Sequence, residues 1–109
     1  MTEQLAAQRA DTVARIAALR ADVATILGSA SSTTGDDEHD PEGATIGFER
    51  AQAMALLAQA EDQLAAIDAA LDRVAAGTYG RCVSCGQPIA APRLEARPEA
   101  TRCITCASR

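Results

Sequence analysis

Two cysteine pairs constrain this chain more than any other feature: Cys82-Val83-Ser84-Cys85, then seventeen residues, then Cys103-Ile104-Thr105-Cys106. Two residues between cysteines let both sulfurs of a knuckle reach one tetrahedral ion at about 2.3 Å. The gap falls within the spacing of paired knuckles that share a single zinc. Gly86 follows the first knuckle, where a tight turn can present backbone N–H groups to thiolate sulfur. Two disulfides or an iron–sulfur cluster would draw on the same four side chains. The start, Met1-Thr2-Glu3-Gln4, has neither the cationic nor the apolar region of a signal peptide. No apolar run approaches the roughly 20 residues of a membrane span. The expectation is a cytoplasmic protein whose thiols stay reduced, which favours metal over disulfides. One zinc ion is therefore expected on Cys82, Cys85, Cys103 and Cys106. Four thiolates leave no open position for water, so the ion is structural and no enzyme activity is expected of it. The single histidine, His39, lies far along the chain and is not expected to be a ligand.

Ahead of the cysteines the chain reads as helix. Alanine makes up about a quarter of the residues, a helix-favouring choice that supplies little side-chain volume. The only aromatic residues are Phe48 and Tyr79, so a slender helical architecture closed by a metal fits better than a thick core. Leu5, Ile16, Leu19, Val23 and Ile26 fall on a 4-3 grid, with Arg9 and Thr12 as its weak members and Val13 beside Thr12. A second grid runs Ile46, Arg50, Ala53, Leu57, Ala60, Leu64, Ile67, Leu71, Val74. Such spacing lays one narrow apolar seam along each helix, as in coiled coils. Two seams joined by one loop predict an antiparallel coiled-coil hairpin in a mainly α fold. Its expected parts are a first helix over 1–28, a loop over 29–43, a second helix over 44–76 and a small four-cysteine zinc-finger module over 77–109. Gly28 is the expected stop of the first helix, and Gly77 a C-terminal residue free to take positive φ.

Charge divides the chain. Residues 1–80 carry thirteen acids and five arginines, whereas residues 81–109 carry five arginines and two acids. A net charge of −5 disfavours direct duplex binding, which needs clustered cations against phosphate. Asp36, Asp37, Glu38, Asp40 and Glu42 place five carboxylates at the turn of the expected hairpin. That segment reads either as a solvated loop or as an acidic tip that meets a basic surface or a metal ion of a partner. The regular ligand spacing of an EF-hand is absent from it.

The segment Gly77-Thr78-Tyr79-Gly80-Arg81-Cys82-Val83-Ser84-Cys85-Gly86, with Ile89, Arg93-Leu94-Glu95-Ala96-Arg97-Pro98 and Cys103-Ile104-Thr105-Cys106, closely resembles the DksA/TraR C4-type zinc-finger family. The resemblance implies a transcription regulator that binds RNA polymerase directly, without sequence-specific DNA contact. It implies a coiled coil entering the secondary channel of the polymerase with its acidic tip toward the catalytic centre, often together with the alarmone ppGpp. Two features depart from the family pattern. The family tip is D-x-x-D-x-A, whereas here Asp40-Pro41 leads to Gly43 and Thr45, and the other register, Asp37-Glu38-His39-Asp40, puts Glu42 at the Ala position. Of the basic residues that the resemblance assigns to the nucleotide, only Arg97 is kept, while Ala66 and Ala107 stand at the other two positions. Losing two cations weakens a site for a highly charged ligand, so ppGpp binding is expected to be weak or absent. Two other function classes stand beside this one: a zinc-stabilised protein–protein adaptor, and a Gre-like stimulator of transcript cleavage.

Overall fold

The computed structural model describes the backbone of residues 1–32 and 41–109, and side-chain surroundings for 1–28 and 45–109. Four helices follow one another: α1 (Thr2–Ser32), α2 (Pro41–Ala76), α3 (Ala91–Ala96) and α4 (Ile104–Ala107). Among the described residues, β pairing is limited to one isolated bridge between Arg81 and Pro88. The chain divides into two compact units, Met1–Asp11 with Gln63–Arg109, and Thr12–Asp62.

In the first unit the opening turns of α1 pack on the last turns of α2. Leu5, Ile67 and Ala70 are fully buried together, and Leu71, Val74 and Tyr79 close around them. An Arg9–Asp68 ion pair at 2.6 Å flanks this cluster. Both side chains are nearly half exposed to solvent, so the pair adds little to stability. In the second unit Thr12, Ile16, Ala53 and Ala60 are the buried positions, and Arg20 approaches Glu61 at 3.7 Å. As α1 advances from Arg9 to Arg20, its ion-pair partners on α2 run backward from Asp68 to Glu61. The two helices are thus the antiparallel hairpin that the two apolar grids predict.

The seam follows those grids, except that Arg50 of the second grid is exposed. Ala53, Ala60 and Ile67 are buried, and Ile46, Leu57, Leu64, Leu71 and Val74 are half-buried. Of the two weak members on α1, Arg9 stays exposed, whereas Thr12 is buried and Val13 beside it is exposed. A hydroxyl thus occupies a seam position because helical phase, not hydrophobicity alone, selects the buried residue.

The helix ends differ from the expected ones. Gly28 does not stop α1, which continues to Ser32. A single glycine costs an exposed helix only about 1 kcal/mol relative to alanine, and nothing lies within 4 Å of where its Cβ would be. At the other side α2 begins at Pro41 rather than near Ala44. Proline suits a first helical position, where its missing N–H has no intrahelical acceptor to lose. The C-terminal end of α2 follows the sequence: Gly77 takes a φ of +78°, and the Thr78 N–H closes the helix on the Arg73 carbonyl at 2.9 Å.

Candidate metal centre

The first knuckle is a tight turn. Cys82 N–H donates to the Gln87 carbonyl at 2.8 Å, and Gly86 N–H donates back to the Cys82 carbonyl at 2.9 Å. Gly86 adopts a φ of +75°, a conformation open to glycine at little cost. The second knuckle opens α4, with Ala107 N–H donating to the Cys103 carbonyl at 2.9 Å. A backbone bond from Val83 N–H to the Thr101 carbonyl at 2.9 Å ties the two knuckles to each other.

Beneath them Cys82, Ile89 and Leu94 form a small buried cluster, with Tyr79, Cys103 and Cys106 packed against it. Tyr79 also packs on the Leu5–Ile67 cluster, and its hydroxyl donates to the Pro98 carbonyl at 2.8 Å. Burial raises the Tyr79 pKa and keeps the phenol a neutral donor. Two glutamines of α1 reach the same region: Gln4 Nε2 donates to the Glu95 carbonyl at 2.9 Å and Gln8 Nε2 to Glu99 Oε2 at 3.5 Å. Tyr79→Phe is expected to lower the stability of the zinc-loaded protein by about 1 kcal/mol, read as a lower thermal midpoint with zinc content unchanged.

The sulfurs of Cys82, Cys85, Cys103 and Cys106 all lie within 4.8 Å of one another. Four sulfurs at about 2.3 Å from a central zinc lie about 3.8 Å apart along each tetrahedral edge. Cys85 Sγ and Cys103 Sγ are 3.8 Å apart. None of the four is in a disulfide.

Their electrostatics point the same way. The backbone N–H of Cys103, helped by those of Cys85 and Ser84 and opposed by burial, pulls the Cys82 thiol down to about 6. The N–H expected from the first knuckle's turn is thus supplied to sulfur by Ser84 and Cys85, while Gly86 N–H serves the carbonyl. Cys103 is lowered, chiefly by the backbone N–H of Cys106. Cys106, surrounded by the sulfurs of Cys103, Cys82 and Cys85, which favour its protonated form, is pushed up to about 12. Two lowered thiols and one raised thiol within a single cluster suit a central cation. The donor set fits zinc, and its four sulfurs close the coordination shell.

The comparisons with known proteins agree. The profile of the prokaryotic dksA/traR C4-type zinc finger matches residues 77–109. In the solved structure of transcription factor DksA2 from Pseudomonas aeruginosa, the likeness covers 99% of this chain and 78% of that one, at 30% identity and a TM-score of 0.81. The chain belongs to the DksA/TraR family. Over 43 residues it is 51% identical to a Caulobacter vibrioides protein named RNA polymerase-binding transcription factor DksA. Over 41 residues it is 49% identical to a protein of Aquifex aeolicus. These stretches span only 30% and 28% of the two relatives' own length. The family and the clustered cysteines together establish one structural zinc ion as the cofactor.

Other expected site residues divide into two groups. Asp36, Asp37, Glu38 and Asp40 lie outside the described residues, and Glu42 belongs to α2 with its side chain outside them. Ala66, Arg97 and Ala107 are described, and they line one cleft of about 390 Å³ together with Gln63, Arg93 and Arg102. Arg97 Nε stands 4.0 Å from Glu99 Oε1, a carboxylate that competes with any anion for it. Sequence reasoning assigned no individual role to Tyr79 or Arg93, although both stand in the segments that carry the family resemblance. No described helix is long and apolar enough to cross a membrane.

Proposed function

We propose that this protein regulates transcription by binding RNA polymerase directly, with no catalytic activity of its own and no sequence-specific contact to DNA. The hairpin inserts into the secondary channel of the polymerase, and the acidic segment at its turn acts near the catalytic centre. The observation that carries this reading is the structural likeness to DksA2 along 99% of the chain. The charge distribution supports it, because thirteen acids in residues 1–80 repel a phosphate backbone but suit cationic protein surfaces and Mg²⁺. A zinc closed by four thiolates gives the helices a fixed base without supplying a reactive metal. The reading places the protein in the cytoplasm, where it meets the polymerase and keeps its thiols reduced.

The test is promoter-specific transcription in vitro with purified polymerase, comparing wild type with the Asp37→Ala, Asp40→Ala, Glu42→Ala triple variant. Both proteins are expected to bind polymerase, competing with a ligand that blocks the channel, and only the wild type to change promoter output. Equal output from the two would remove the acidic tip from the mechanism. Failure of the wild type to bind polymerase would remove the partner as well.

ppGpp is not a strong ligand in this reading. Two alanines line the cleft that holds Arg97, and Glu99 already faces that arginine. Calorimetry is expected to give millimolar affinity or weaker. A low-micromolar constant would overturn this expectation.

A further inference from the structure

The approach to Cys103 is fixed by two hydrogen bonds on successive carbonyls. The Thr101 carbonyl accepts from Val83 N–H at 2.9 Å, from within the first knuckle. The next carbonyl, that of Arg102, accepts from Arg93 Nε–H at 2.8 Å, from the side of α3. The residue after that carbonyl is Cys103. Arg93 stands on a short helix with a firm footing: Leu94 beside it is buried against Cys82 and Ile89, and Arg93 N–H and Leu94 N–H both donate to the Ala90 carbonyl, at 3.0 and 3.1 Å. The guanidinium therefore reaches the second knuckle from an element anchored on the first.

We infer that Arg93 is a positioning residue for the zinc centre: its Nε–H holds the Arg102 carbonyl and thereby sets the place of Cys103 Sγ among the four sulfurs. Arg93 is not among the four ligands; it acts through the peptide that leads into Cys103. A charged donor on a carbonyl makes a strong and directional hydrogen bond. Groups that orient a metal ligand from outside the coordination shell commonly change metal affinity by about 10–100-fold when removed. The bond is specific to Nε. Lysine keeps the charge and much of the aliphatic stem but has no N–H at that point along the side chain. The acceptor belongs to the backbone of Arg102, so the Arg102 side chain is dispensable for it.

The test uses the full, reduced, zinc-loaded chain and the variants Arg93→Gln, Arg93→Lys and Arg102→Gln. Zinc affinity is measured by competition with a chromophoric chelator. The cobalt-substituted proteins are compared by their visible d–d and sulfur-to-metal charge-transfer absorption. Arg93→Gln and Arg93→Lys are expected to bind zinc about 10-fold more weakly or worse and to show an altered d–d envelope. Arg102→Gln is expected to match wild type in both. The cobalt spectrum separates positioning from general stability, because a merely destabilised fold gives the wild-type spectrum in its loaded fraction. If Arg93→Gln does not fold, Arg93→Lys decides. Wild-type affinity and spectrum in Arg93→Lys would overturn the inference by showing that charge and packing suffice. So would an equal loss in Arg102→Gln, which would assign the effect to net charge near the metal. All of these readouts are independent of polymerase, so they can fail while the proposed function stands.

Discussion

Removing zinc from the reduced protein with a strong chelator is expected to unfold residues 77–109 while α1 and α2 keep much of their helicity. Little besides the ion holds that segment. Its buried cluster consists of Cys82, Ile89 and Leu94. Its helices are six and four residues long, far below the roughly 12–15 residues at which isolated helices become even marginally stable. No disulfide joins its cysteines. Structural zinc in comparable small modules contributes an apparent 10–16 kcal/mol or so, and that binding free energy is folding free energy. Amide NMR should show resonances of the C-terminal segment collapsing to random-coil positions, with far-UV circular dichroism falling only in part. Cys82→Ser should behave in the same direction under limiting zinc. Spectra unchanged after complete removal of the metal would contradict the structural role assigned to it.

Acid should act as a chelator does. The Cys82 thiol is held low, at about 6, against an ordinary value near 8.5. A depressed group stabilises the fold above its unfolded value, and that contribution is lost as pH falls through the folded one. For the zinc-loaded module the pull on Cys82 favours the thiolate that the metal needs down to about pH 6. Cys106, pushed up to about 12, has the opposite sign: its proton must be displaced before it can bind. Zinc overrides this conflict by taking all four as thiolates. Its uptake therefore releases protons, and its affinity must fall steeply as the pH is lowered. Competition with a chelator at a series of pH values reads that slope.

The second large effect is expected from Ile67→Ala, at about 2–5 kcal/mol of lost stability. Among the described residues, Leu5 and Ile67 are the large side chains that are fully buried, and they pack on each other across the two helices. The neighbours that could move in are Ala70, already small, and Leu71, Val74 and Tyr79, which are only partly buried. A domain of this size has about 5–15 kcal/mol in all, so the variant loses a large part of it. Met54→Ala removes a side chain of similar volume from an exposed position and should change stability by no more than about 0.5 kcal/mol. Thermal unfolding of the two variants side by side isolates burial from helix propensity, since alanine is the better helix former in both. Equal midpoints would mean that the seam contributes little.

The helical seam was readable because one period governs it. The 4-3 spacing marks Leu5, Ile16, Ala53, Ala60 and Ile67, and each is buried. The cysteine spacing carried the metal centre for the same reason, since two residues between ligands is a local geometric requirement. Ala70 is fully buried yet lies off the grid, because it shares the cluster of Leu5 and Ile67, where the buried face is wider than one narrow stripe. Gly28 misled because a weak local preference gave way to helix propagation. The bond from Arg93 to the Arg102 carbonyl and that from Tyr79 to the Pro98 carbonyl had no sequence signature. Each depends on where a turn elsewhere brings a backbone oxygen, and periodicity carries no record of that.

Tyr79 lies against both apolar clusters, and the chain has no other tyrosine and no tryptophan. All intrinsic tyrosine emission from this protein therefore originates at the joint between hairpin and metal module. A change in its intensity reports, without any label, whether that joint is closed.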